Sequence, residues 1–176
     1  DGAYLYAPDS LQVEVNFERN KNFTVQHLIK RKLQEVEEGY SYYLQNEELC
    51  GPELKQMSQL SEDLLSHVDY EICIKKRNKN FQILHTALEQ KNSFQYTEAG
   101  KGVPMAYPFL PIDNIPHQHL WDHDLFVPIF WKDVLNRSNE GFEIEKDLTR
   151  NLLALPVDQR YDEDDMCRII NQLQSL

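Results

Sequence analysis

The sequence predicts an α+β fold: a short three-stranded sheet with helices, formed by the second half of the chain. Three observations predict it. Apolar residues recur at helical spacing in residues 66–90 and 162–174. The apolar runs 103–110, 125–131 and 151–157 have the length of strands. Helical patterns separate these runs, so the second half reads α-β-α-β-α-β-α.

The first element is AYLYA at residues 3–7, a short aromatic and apolar strand closed by Pro8. Residues 10–22 are polar and without period, as in a loop. From Phe23 to Leu49, Val25, Leu28, Ile29, Val36, Tyr40, Tyr43 and Leu44 fall near one helical face, and Gly39 marks a bend. Cys50-Gly51-Pro52 is a stop, and residues 53–65 form a shorter helix. One strand cannot make a sheet. Residues 1–65 therefore read as a remnant needing a partner outside the chain, and residues 66–176 as the self-contained domain.

Ser66 to Gln90 carries the longest helical pattern. Tyr70, Ile74, Arg77, Phe81, Leu84 and Leu88 define its buried stripe, and the basic cluster KKRNK (75–79) reads as a solvated face. Val103 to Leu110 holds prolines, which lack a ladder donor, and reads as an edge strand. Residues 114–123 form a short helix with Pro116 in its first turn. Leu125 to Trp131 (LFVPIFW) is the second strand, residues 142–150 a helix, and Asn151 to Val157 the third strand. Residues 162–174 close the chain as a helix with Met166, Ile169, Ile170 and Leu173 on one face.

A chain of 176 residues with 41% hydrophobic residues can bury a core. Its net charge of −11 argues against a nucleic-acid groove or an anionic membrane as partner. No apolar run approaches the roughly 20 residues that span a bilayer, and no signal peptide is present. Cys50, Cys73 and Cys167 are odd in number and scattered, as expected of reduced thiols in a cytoplasmic protein. The sequons at Asn22 and Asn136 are then chance matches. The start at Asp1, without methionine, suggests a piece of something longer.

Few side chains group into recognisable chemistry. His119 and His123 lie one helical turn apart beside Asp122 and Asp124, the strongest metal candidate, while His117 points away from that pair. No H-E-x-x-H pattern supports it, so a polar surface helix is favoured. Asp162, Glu163, Asp164 and Asp165 precede the last helix, where capping and the helix dipole favour acids. Cys167 nearly shares that helix's buried face and reads as structural. No nucleophile elbow, P-loop or dinucleotide fingerprint occurs.

The most informative stretch is 152–173, LLALPVDQRYDEDDMCRIINQL. A short strand runs through Pro156 into a loop that gathers Asp158, Gln159, Arg160 and Tyr161 just before a helix. With it, in order, stand Asp1-Gly2-Ala3-Tyr4-Leu5; residues 67–88, particularly Asp69-Tyr70 and Arg77-Asn78…Asn80-Phe81…Leu84; and LFVPIFW at 125–131. Together these four places resemble the C-terminal part of the pyridoxal-phosphate sugar aminotransferases of the DegT/DnrJ/StrS group. The Asp-Gly start resembles the segment following the Schiff-base lysine, and 152–170 resembles the terminal Leu-Pro-x-Asp-Gln-Arg-Tyr strand and helix.

The resemblance implies the small domain of a fold-type-I aminotransferase, preceded by a strand-helix remnant of the large domain. It implies transamination from an amino acid to a keto-sugar, nucleotide-linked, for cell-surface polysaccharide or related biosynthesis. Pyridoxal phosphate belongs to the full-length parent, a homodimer. The chain departs from the family pattern by having no lysine at the aldimine position; Lys21 is its first. It is therefore expected to hold no cofactor and to be inactive alone, lacking its N-terminal large domain. Arg160 is the candidate partner of a substrate carboxylate, since arginine offers a planar fork. Gln159 stands beside it, and Trp131 and Phe130 are candidates to wall a sugar pocket. A surface ion pair to Asp158 for Arg160, and plain core packing for the aromatics, are the competing readings. The other function class is a non-catalytic α+β interaction module.

Overall fold

The computed structural model describes residues 8, 10, 17–51, 53–95, 102–137 and 140–174. The strand expected at residues 3–7 lies outside the described residues. Among the described residues there are seven α-helices and one two-stranded antiparallel sheet, so the fold is α+β. No helix among them is long and apolar enough to cross a membrane. The chain divides into two compact units, residues 1–68 and 69–176.

In the first unit the helical pattern of 23–49 is split in two. Helix α1 (Gln26–Lys32) ends before Gln34, whose φ of +65° turns the backbone, and α2 (Val36–Glu48) follows. Lys30 closes the turn, donating to Glu35 at 2.6 Å and to Glu38 at 2.9 Å. Gly39 is not a bend. It lies inside α2, where a Cβ would stand 3.2 Å from Arg31 Cγ and 3.3 Å from the His27 carbonyl oxygen. Its missing side chain is what allows α1 and α2 to approach. Helix α3 (Gln59–Ser66) is capped by Ser58, whose hydroxyl accepts from Ser61 N at 3.2 Å. The described residues of this unit fully bury no large apolar side chain, and Leu28, Ile29, Leu33, Val36 and Leu44 are exposed.

In the second unit Asp69 caps α4 (Tyr70–Leu88), accepting from Ile72 N at 3.0 Å. Phe81, Leu84 and Leu88 are buried as the periodicity predicts. Tyr70 and Ile74, at the head of the same stripe, are exposed, because the core covers only the C-terminal half of the helix. Strand β1 (Ala106–Phe109) pairs with β2 (Leu153–Pro156), setting Tyr107 opposite Leu155 and Phe109 opposite Leu153. The outer side of β1 is occupied by residues 91–94: Ser93 N donates to the Leu110 carbonyl at 2.8 Å and Asn92 Nδ2 to the Pro108 carbonyl at 2.9 Å.

The expected third strand does not form. At one end of LFVPIFW Asp124 takes φ +60°, and at the other Trp131 takes φ +53°. Pro128 removes a ladder donor, and the Val127 carbonyl accepts from Trp121 Nε1 at 3.2 Å instead of from a strand. The sheet therefore has two strands, not three. Leu125 and Val127 still reach the core, whereas Phe126 and Trp131 are exposed.

Helix α5 (His117–Trp121) is shorter than predicted; α6 (Glu143–Asn151) and α7 (Glu163–Gln174) lie within a residue of prediction. Met166, Ile169 and Leu173 of α7 pack with Leu84, Leu88, Leu153 and Leu155 into one core, where Phe81 and Tyr107 meet edge to face at 5.1 Å. Cys167 is exposed, contrary to the sequence reading, because it falls one position past the buried stripe.

Candidate functional site at the corner between β2 and α7

The loop from Val157 to Asp162 is fastened from α4. The amide of Asn80, a buried side chain, donates to the carbonyls of Val157 (3.3 Å), Asp158 (3.2 Å) and Tyr161 (3.1 Å). One turn earlier, Arg77 Nε donates to Gln159 Oε1 at 3.0 Å, and Arg77 Nη1 to the Pro104 carbonyl at 3.0 Å. Buried carbonyls that no strand or helix uses need donors, and these two side chains supply them. The sequence reading places Arg77 on the buried stripe of α4 and gives Asn80 no structural role.

On this fastened loop sits a forked ion pair. Arg160 Nε donates to Asp158 Oδ1 at 2.7 Å and Arg160 Nη2 to Asp158 Oδ2 at 2.9 Å. The Arg160 backbone N–H also donates to Asp158 Oδ1, at 3.1 Å. The guanidinium lies 5.6 Å from the Tyr161 ring centroid. Its hydrogen bonds hold the Asp158 carboxyl below the ordinary carboxylate range; burial opposes this, and the charge of Arg77 adds to it. Among the described residues Arg77 has no ion-pair partner, so two guanidiniums face one carboxylate in a chain of net charge −11.

The four residues expected to touch substrate fall into two groups. Gln159 and Arg160 share the loop. Phe130 and Trp131 stand before a 3₁₀ turn (Lys132–Asn136), their ring centroids 5.7 Å apart. Among the described residues no hydrogen bond or ring contact joins the two groups. Trp131 is 73% exposed, so it is not a core aromatic. A cavity of about 220 Å³ lies between the 3₁₀ turn and α6, lined by Val134, Arg137, Phe142, Glu145 and Lys146; neither Phe130 nor Trp131 lines it.

The histidines do not assemble. The ring centroids of His119 and His123 lie 4.4 Å apart with the planes tilted by 34°, and His123 Nδ1 lies 2.8 Å from the His119 carbonyl oxygen. Among the described residues no group of three or more His, Cys, Asp or Glu is arranged to hold a metal. His117 is buried beside Trp121, and its Nε2 has no hydrogen-bond partner among the described residues. The acidic run caps α7: Asp162 Oδ1 accepts from Asp164 N (3.0 Å) and Asp165 N (3.2 Å), while Asp165 Oδ2 accepts from Asp162 N (3.1 Å).

No described lysine is buried, and Lys30, the most heavily engaged of them, is committed to Glu35 and Glu38. None of the described lysines is enclosed as a cofactor-bearing lysine would be. No protein-family model, curated protein or solved structure matches this chain.

Proposed function

We propose that this chain is the C-terminal part of a pyridoxal-phosphate-dependent aminotransferase. The parent moves an amino group from an amino acid to a nucleotide-linked keto-sugar in the cytoplasm, as a homodimer. One observation carries the reading. Two of the segments on which the family resemblance rests, 67–88 and 152–170, are hydrogen-bonded to each other across 82 residues of sequence, through Arg77 and Gln159. The absence of a buried apolar core among the described residues of the first unit agrees with a remnant whose covering surface lies elsewhere.

In this reading the cofactor supplies the electron sink and is held by the parent's large domain. Arg160 offers its fork to the carboxylate of the amino donor. Gln159, held by Arg77, fixes the loop beside it, and Phe130 and Trp131 offer ring faces to the sugar. The test is made on the protein translated from the full reading frame. An aldimine absorbance band that borohydride removes, with amine transfer from glutamate to a nucleotide-linked keto-sugar, supports the proposal. The 176-residue chain alone is expected to show neither. A full-length protein that binds no pyridoxal phosphate leaves the second reading, a non-catalytic interaction module, which the exposed Phe126 and Trp131 favour.

A further inference from the structure

The geometry points to Asp158 as the parking place of Arg160: an internal carboxylate that the carboxylate of a bound amino acid displaces. This rests on the proposed role of Arg160 toward the amino donor. Asp158 fills the fork of Arg160 at 2.7 and 2.9 Å, the arrangement a ligand carboxylate takes. Only one partner is free to move. The loop carbonyls on either side are fixed by Asn80, and the Asp158 side chain is 16% exposed, whereas that of Arg160 is 67% exposed. The long arginine arm swings and the carboxylate stays.

Departure of the arm strands no buried charge. Asp158 keeps the Arg160 backbone N–H at 3.1 Å and the field of Arg77. The exchange replaces one carboxylate by another on an arginine whose side chain is 67% exposed. A free amino acid's carboxylate competes against an intramolecular partner, so Asp158 weakens its binding. Asp158 lowers the affinity of the arginine without abolishing it, and this favours release after transfer.

The test titrates acetate into the 176-residue chain at constant ionic strength and reads the Arg160 Nε–H resonance. Asp158→Asn is expected to bind acetate about two- to fivefold more tightly than wild type. Asp158→Ser, which keeps an acceptor for the Arg160 backbone N–H, is expected to move in the same direction. Arg160→Lys is expected to lose the response. Unchanged or weaker binding in both Asp158 variants overturns the proposal, since Asp158 then orients the arginine instead of occupying it. In the full-length enzyme Asp158→Asn is expected to lower KM for the amino donor by the same factor. A positive acetate result with no transamination removes the aminotransferase reading alone. A negative acetate result in a transaminating parent removes the parking role alone.

Discussion

The side-chain amide of Asn80 donates to the main-chain carbonyl of Asp158 at 3.2 Å, tying α4 to a loop 78 residues further on. The same amide serves Val157 and Tyr161. Asn80→Ala leaves buried carbonyls without donors and is expected to destabilise the second unit by about 2 kcal/mol. Asn80→Asp is expected to cost more, since it sets a carboxylate against carbonyl oxygens. Urea unfolding measures both, and a loss below about 0.5 kcal/mol for Asn80→Ala shows that water replaces the amide.

Leu84 and Ile74 lie on one predicted stripe, yet only Leu84 is in the core. Leu84→Ala is expected to cost about 2–5 kcal/mol, through lost burial and the cavity left behind. Ile74→Ala, at a position 40% exposed, is expected to cost well under 1 kcal/mol. Equal losses at the two positions contradict the half-covered helix.

That contrast shows what the sequence reveals. The α7 face, its cap and the positions of β1 and β2 follow from local pattern, because helix period and capping act over a few residues. The false strand at 125–131 arises from composition: the run is apolar, but Pro128 and the turns at Asp124 and Trp131 deny it a ladder. The head of the α4 stripe misleads because periodicity marks a face without marking how much of it is covered. At the site, Arg160 and Gln159 were legible as a polar cluster between a strand and a helix. Asn80 and Arg77 were visible as positions on α4, but their role in fastening the loop was not, because the groups they hold at 157–161 lie about 80 residues away in the chain.

His117 sets a pH dependence. Burial, with the charge of Lys132, lowers its pKa below the ordinary value of 6.5. Above about pH 6.5 the ring is neutral in both folded and unfolded chains. As pH falls below that, the unfolded chain takes up a proton that the folded one does not, so stability is lost down through the folded pKa. The slope from this residue is at most about 1.4 kcal/mol per pH unit. His117→Phe removes an unpartnered Nε2 and is expected to flatten the stability profile between about pH 7 and 5. Parallel profiles for wild type and variant refute this.

Asp162 and Asp165 cap each other's backbone at the start of α7. Asp162→Ala is expected to cost about 1 kcal/mol, and Asp162→Asn much less, because Asn keeps the acceptor. Thermal unfolding of the two variants decides it; equal losses show that charge at the helix end, and not the hydrogen bond, stabilises the turn.

The pairing of β1 with β2 governs when the second unit closes during synthesis. Leu153, Leu155, Val157, Met166, Ile169 and Leu173 are six of the fourteen residues of its core. A nascent chain that has emerged only through Phe109 presents Leu84, Leu88 and Tyr107 with nothing to cover them. Closure waits for the residues up to Leu173 to leave the ribosome. Until then the apolar face of α4 is open to chaperones and to neighbouring nascent chains, and slowing translation after β1 lengthens that exposure.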